Sequence, residues 1–269
     1  PEQLAAAAAS AMARLAVCSE DVRGFWGSWS PPAGSQIIMV GCGTMCCDNP
    51  TQPLLDAGMG GLFVDARRGE IVRARREFGG PGRAIVNATV STSSLPGLME
   101  KHSRFVQQVE VVQIDIDNMD GPVLMALLDD FVSPSVIVVE VRHALPFPFA
   151  YACVECGMEE VALKGLGGAT LGYWLRELGR RGYELRAMDR LDAVFVKLGA
   201  PRPRESRREH LLGTLACYLR NSLAVQRPKD LLNPLLAPLG PPDVSPEALE
   251  RIRDEFSSLH NEFKFVLGL

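Results

Sequence analysis

Three carboxylates follow an apolar run in the stretch QIDIDNMDGPVL, which covers residues 113–124. Asp115, Asp117 and Asp120 stand at the end of the run Val109–Ile116, which has the composition of a buried strand. Residues two apart in a strand share a face, so Asp115 and Asp117 are predicted to project together where the strand ends. Charge clustered in this way requires a functional or structural reason.

A second candidate site lies at the end of the first apolar run, which leads directly into GCGT, residues 41–44. Gly41 and Gly43 let a backbone turn come close to a ligand at the carboxyl end of a parallel strand. About twenty residues further on, the next run ends in Asp65, which could accept hydrogen bonds from both hydroxyls of a ribose. Cys46 stands where a dinucleotide fingerprint has its third glycine. A ligand with a ribose but no pyrophosphate therefore fits best.

These residues depend on a sheet for their position. From residue 35 to about 198, short apolar runs alternate with helix-like segments, which is typical of an α/β sheet with crossover helices. The first five runs are continuous, as in parallel strands covered on both faces, and the last two flank a tight turn, as in an antiparallel hairpin. The predicted strands are Ile37–Val40, Gly61–Val64, Ala84–Ala88, Val109–Ile116, Val136–Val141, Tyr183–Met188 and Asp192–Lys197.

In a doubly wound sheet, the carboxyl ends of strands one, two, four and five face one crevice. The fifth run ends in VVEVRH, which places Glu140 and His143 at the same edge. We therefore expect Gly41, Asp65, Asp115 and Glu140 to converge.

Two further segments flank this sheet. Residues 1–34 are predicted to form a helical N-terminal extension and linker, and residues 35–199 the α/β domain. Residues 200–269 are predicted to form a helical C-terminal extension interrupted by prolines, with a last helix that starts at Ser245. This extension either folds back on the sheet or docks a protein partner. The run of arginines from Arg67 to Arg76 is interpreted as a solvated helix face.

Charge and cysteine content narrow the class of protein. The chain has 269 residues and a formal net charge of −4, which gives no reason to expect binding to nucleic acid or anionic lipid. No apolar run reaches the roughly 20 residues of a membrane-spanning helix, so a soluble or peripheral protein without a transmembrane segment is expected. The sequence shows no signal-peptide pattern, so targeting information is expected to be absent or already removed.

Seven cysteines at irregular spacing disfavour a secreted disulfide framework. They favour a reducing compartment, either the cytoplasm or an organelle stroma or matrix. Cys153 and Cys156 form CxxC, and Cys42, Cys46 and Cys47 lie close together, but the spacing C-x3-CC is not that of a usual zinc knuckle and no histidine lies nearby. Buried free thiols are therefore predicted and no metal is expected.

The order of these motifs resembles a known enzyme family. The segments GCGT, GLFVDA, AIVNATVS, IDIDNMDGPVL and IVVEV, followed by the closing GYELRAMDRLDAVFVKLG, are similar to FkbM-type S-adenosylmethionine-dependent methyltransferases. The similarity covers about residues 35–198, and its most specific parts are the IDIDxxD motif and the terminal hairpin. The resemblance implies a Rossmann-like seven-stranded sheet, parallel except for the seventh strand, with S-adenosylmethionine as cofactor.

The resemblance also implies roles for individual residues. Gly41 and Gly43 match the glycine turn under the methionine portion of the cofactor, and Asp65 matches the acid that binds the ribose. Asn87, at the end of the third strand, falls near the adenine side. Asp115 and Asp117 match the acidic motif of strand four, beside the reacting methyl group.

An acidic cluster suits this chemistry. The cofactor is a sulfonium cation, so carboxylates compensate its charge, while methyl transfer requires an acceptor oxygen or nitrogen held in line with the methyl carbon. Asp117, Glu140 or His143 could take the proton of the acceptor. Among these side-chain types, only histidine has an ordinary pKa near neutrality.

Two functions remain open. The first is a methyltransferase that acts on a small-molecule or glycan-like hydroxyl. The second is a catalytically inactive protein of the same fold, which serves as a subunit of a larger complex, possibly organellar, and binds protein partners through its terminal helices. Met39, Cys46 and Asn118 depart from the family pattern. The eroded glycine turn, Met39 and the proline-rich tail favour the second function. A nicotinamide-dependent oxidoreductase shares the glycine turn but explains neither the hairpin nor the IDID motif.

Overall fold

The computed structural model describes residues 22–43, 49–142, 150–154, 167–189 and 191–199. They belong to one of the two units into which the chain divides, Glu20–Pro201. The predicted C-terminal extension, most of the N-terminal one and His143 lie outside the described residues. Within the described part, no helix is long and apolar enough to cross a membrane.

All seven strands predicted from the sequence are present, with ends that move by at most two residues. The strands are β1 Gln36–Val40, β2 Gly60–Asp65, β3 Arg83–Asn87, β4 Val109–Ile114, β5 Val136–Glu140, β6 Tyr183–Met188 and β7 Asp192–Lys197. The α-helices in the described residues are α1 Val22–Ser28, α2 Gln52–Asp56, α3 Arg68–Phe78, α4 Leu95–Lys101, α5 Asp120–Asp130 and α6 Leu171–Arg180. A short 3-10 turn, Ser103–Phe105, precedes β4.

The strands form one sheet in the order β3-β2-β1-β4-β5-β7-β6. Strands β1 to β5 pair in parallel, whereas β7 is antiparallel to both β5 and β6. The predicted parallel sheet and its antiparallel terminal hairpin are therefore confirmed. The chain moves outward from β1 to β3 and then returns to place β4 beside β1. In open α/β sheets, ligands bind outside the carboxyl ends of the strands at such a switch point.

The core lies on both faces of the central strands. Val136, Ile137, Val138 and Val139 of β5 are all fully buried, as expected for a continuous β-branched run covered on both sides. Helix α1 adds two aromatic residues, Phe25 and Trp26, to the same hydrophobic cluster.

Two tryptophans link helices to the edge of the sheet that carries the site. Trp26 donates a hydrogen bond from Nε1 to the carbonyl of Pro50 (2.5 Å), and Trp174 of α6 donates one to the carbonyl of Glu140 (2.9 Å). Both rings are buried, so these tryptophans also contribute to packing. Trp174 also fixes the end of β5, where Glu140 stands.

The cysteine prediction is only partly correct. Cys42 is free and buried, and burial together with the charge of Asp65 raises the pKa of its thiol to about 12. Cys153, by contrast, is disulfide-bonded, so the prediction of a free thiol is wrong for this residue. Spacing along the chain cannot show which thiols meet in space, because a disulfide requires a specific separation of the two Cα atoms.

Candidate functional site

The glycine turn after β1 lies directly against the acidic stretch. Gly41 has φ +85°, and its amide and that of Cys42 both donate to the carbonyl of Val64 (2.8 and 3.1 Å). A Cβ at position 41 would lie 1.6 Å from the carbonyl oxygen of Asp115. The amide of Asp115 in turn donates to the carbonyl of Val40 (2.9 Å). Only glycine fits this position, because it alone tolerates both the dihedral angle and the contact.

Asp65 ends β2 with its side chain 3% exposed. Its Oδ1 accepts hydrogen bonds from the backbone N–H of Arg67 (2.6 Å) and from the Arg67 Nε (3.3 Å). Asn87, paired with Asp65 in the sheet, donates from Nδ2 to the carbonyls of Asp65 and Ala66 (both 2.9 Å). Asn87 therefore holds the chain in place immediately after the carboxylate.

The Arg67 guanidinium lies between the glycine turn and Asp65. A Cβ at Gly43 would lie 1.7 Å from the Arg67 Nη2 and 2.6 Å from the Asp65 Oδ2. Arg67 precedes α3 in an extended conformation, so both its backbone N–H and its side chain reach Asp65. The interpretation of Arg67 as part of a solvated helix face is therefore wrong, although its side chain remains 57% exposed.

The carboxylates of Asp115, Asp117 and Glu140 lie within 4.8 Å of one another. They do not meet in the way that strand alternation predicts, because β4 ends at Ile114. Asp117 has φ +63° and its side chain is 61% exposed. A turn after the strand, rather than a shared strand face, brings Asp117 to the other two acids.

Sequence reasoning missed Arg142, which joins two of these acids. Its Nη2 forms ion pairs with the Asp117 Oδ1 and with the Glu140 Oε2 (3.1 Å for the second). Its backbone N–H donates to the carbonyl of Ala169 (2.9 Å). Alternation along VVEVRH would put residues 140 and 142 on one face, but β5 ends at Glu140, so spacing alone does not predict this pair. Three clustered carboxylates could bind a divalent cation, but here a guanidinium lies against two of them.

Two acids of this cluster, Asp115 and Glu140, bind protons more tightly than isolated acids do. Burial, followed by the charges of Asp117 and Asp120, raises the pKa of Asp115 to about 7. Burial and the charge of Asp115 raise the pKa of Glu140 to about 8, and Arg142 acts in the opposite direction on both. These two carboxyls therefore gain and lose protons near neutral pH, and the charge of Asp115 favours protonation of Glu140.

Asp120, the third acid of the motif, closes the turn beneath the cluster. It is buried at the first position of α5, and its Oδ1 accepts a hydrogen bond from the amide of Ile116 (2.8 Å). Burial raises the pKa of its carboxyl. Among the described residues its Oδ2 has no hydrogen-bond partner.

The predicted site residues thus form two adjoining groups. Gly43, Asp65 and Asn87 lie at the ends of β1, β2 and β3, while Asp115, Asp117 and Glu140 lie at the ends of β4 and β5. Gly41 touches the second group through the Asp115 carbonyl. The charge of Arg67 lowers the pKa of Asp115, so the two groups are within electrostatic reach of each other.

No protein-family model matches the sequence, and no curated protein matches it significantly. A function therefore has to be inferred from the chemistry of the crevice.

Proposed function

We propose that the protein is an S-adenosylmethionine-dependent methyltransferase that acts on a small-molecule or glycan-like hydroxyl. The observation that carries the proposal is the contact between the Gly41 turn and Asp115 at the switch point of the sheet, with Asp65 on the next strand. A seven-stranded sheet in which β7 is antiparallel also agrees with what the sequence resemblance implies.

The residues present fit the cofactor. The backbone at Gly41 offers a surface without side chains, and Asp65 can accept hydrogen bonds from ribose hydroxyls once Arg67 releases it. Asn87 lies beside Asp65, and the resemblance assigns it to the adenine side of the cofactor. Asp115 supplies negative charge to a cationic ligand in a half-buried position, where charge is poorly screened by water.

The cofactor and the protein each contribute to the methyl transfer. Bound S-adenosylmethionine supplies an electrophilic methyl group on a sulfonium. The protein has to hold the acceptor hydroxyl in line with that group and receive its proton. Glu140 and Asp117, whose carboxylates Arg142 joins through ion pairs, are the candidates to receive that proton. His143, the third candidate base, lies outside the described residues.

Calorimetric titration of the purified chain with S-adenosylmethionine tests the proposal. We expect micromolar binding that Asp65→Ala weakens about tenfold to a hundredfold, since it removes a buried, charged hydrogen-bond acceptor. Asp56→Ala, which removes an exposed acid from α2, is the matched control and should bind as the unchanged protein does. Absence of heat at millimolar cofactor would sink the methyltransferase proposal.

Binding should also release protons. A sulfonium and an ammonium placed beside Asp115 and Glu140 lower their pKa values from about 7 and about 8, so protons leave when the cofactor binds at pH 7.5. The measurement is the binding enthalpy in buffers of different ionisation enthalpy. S-adenosylhomocysteine, which lacks the sulfonium charge, should release fewer protons. Identical heats in all buffers contradict the proposed position of the cofactor beside these acids.

An inactive subunit of a larger complex is the second candidate, and one contact favours it. The Arg67 guanidinium fills the gap between Gly43 and Asp65, where a ribose would have to lie. In addition, fully buried Met39 stands on β1 where the family carries an acid. This candidate predicts no cofactor binding at any concentration and elution together with protein partners, so the same titration separates the two functions.

A further inference from the structure

The Arg67 side chain occupies the part of the crevice that the proposed function assigns to a ribose. We propose that Arg67 is a competing residue: its guanidinium occupies Asp65 against the ribose hydroxyls, so that a ligand with a free ribose diol binds there only by displacing it. This inference rests on the proposed function, because it takes the same crevice as the nucleoside site.

The competition follows from the contacts. The Asp65 Oδ1 already accepts from the Arg67 backbone N–H at 2.6 Å and from Nε at 3.3 Å. The Asp65 Oδ2 and the Arg67 Nη2 both lie within 2.6 Å of the position that a Cβ on Gly43 would take. The guanidinium thus covers the open side of the carboxylate above the turn. A diol and the guanidinium cannot both use this space.

Arg67 is also able to leave. It precedes the first residue of α3, and its side chain is 57% exposed, so the guanidinium has solvent to move into. Glu70, one helical turn further on, is a second acid whose charge acts on Arg67 and raises its pKa, after the larger effect of Asp65. Glu70 already pairs with Arg73 through its Oε2 (3.4 Å), and it offers the Arg67 guanidinium a nearby acid when Asp65 releases it.

The test uses adenosine, a neutral ligand that has the ribose and the base without the methionine charges. Its affinity is measured by calorimetry for the unchanged chain, for Arg67→Ala and for Arg67→Gln. Both variants should bind adenosine about threefold to fivefold more tightly, which corresponds to the loss of a half-exposed ion pair. Arg68→Ala removes a neighbouring exposed arginine and should leave the affinity unchanged.

Two further measurements isolate the competition. 2′,3′-Dideoxyadenosine lacks the hydroxyls that compete for Asp65, so its affinity should be the same for the unchanged chain and for Arg67→Ala. Added salt screens the Arg67–Asp65 pair and should strengthen adenosine binding to the unchanged chain but not to Arg67→Ala.

The outcomes separate this inference from the proposed function. Adenosine binding that is equal or weaker in both Arg67 variants overturns the inference and leaves the crevice as a nucleoside site. Equal tightening for adenosine and the dideoxy analogue also overturns it, because Arg67 would then act by bulk alone. If no variant binds adenosine or S-adenosylmethionine at millimolar concentration, the proposed function fails, and this inference fails with it.

Discussion

Replacing Gly41 with alanine should lower the free energy of unfolding by about 4 kcal/mol. The new Cβ would lie 1.6 Å from the backbone oxygen of Asp115, an atom held in the β1–β4 pairing that continues past the strand ends. The backbone of Asp115 cannot move aside there, whereas the tip of a flexible side chain could. The residue must also keep φ +85°, which strains any side chain with a Cβ. Urea unfolding followed by tryptophan fluorescence measures the loss.

Gly58→Ala is a matched control for the dihedral angle. Gly58 has φ +86°, but no atom lies within 4 Å of the position of its Cβ. The control should therefore lose about 1 kcal/mol, the cost of the dihedral angle alone. Losses of equal size in the two variants would show that the Gly41 turn is not pressed against Asp115, and would remove the central support for the proposed site.

The sheet could be predicted because its strands carry their own signals. β5 is a run of β-branched residues that suits only a strand covered on both faces, and the ends of β6 and β7 match the prediction fully. The hairpin turn was marked by Asp189, whose carboxylate accepts hydrogen bonds from the amides of Leu191 and Asp192. Turn signals of this kind can be recognised in the sequence without the tertiary structure.

The crevice was only partly predictable, for a different reason. Strand ends fixed the places of Asp65, Asp115 and Glu140, because topology alone brings the carboxyl ends of these strands together. Arg67 and Arg142 reach their acids through long side chains and through backbone that has already left the strand or not yet entered the helix. Such contacts depend on tertiary geometry that spacing does not encode. The positive φ of Asp117 is a turn feature of the same kind.

Arg67 and Arg142 compensate part of the negative charge of the crevice. Arg67 covers Asp65, and Arg142 joins Asp117 to Glu140, while Asp115 has no arginine of its own in the salt bridges of the described residues. Bound protons neutralise part of the remaining negative charge, because the pKa values of Asp115 and Glu140 are raised to about 7 and about 8. A cationic ligand would replace those protons.

Asp115→Asn should make the protein less sensitive to pH. The ordinary pKa values of the two acids, 3.8 and 4.5, rise in the folded state to about 7 and about 8. At pH values between the ordinary and the raised pKa values, the folded protein binds more protons than the unfolded chain. The free energy of unfolding therefore falls as pH rises. We expect the unchanged chain to lose on the order of 6 kcal/mol between pH 5 and pH 8, because each acid with these pKa values contributes about 3 kcal/mol. Urea unfolding at several pH values measures this loss.

The asparagine variant should lose less than half as much over the same range and be the more stable protein at pH 8. It removes one titrating carboxyl, and it removes the charge that, after burial, most raises the pKa of Glu140. Asp130→Asn, at the exposed end of α5, removes one charge elsewhere and should keep the full slope. If the stability of Asp115→Asn instead fell with pH as steeply as that of the unchanged chain, Asp115 would not be sharing protons with Glu140. The crevice would then have no stored proton for a cationic cofactor to displace.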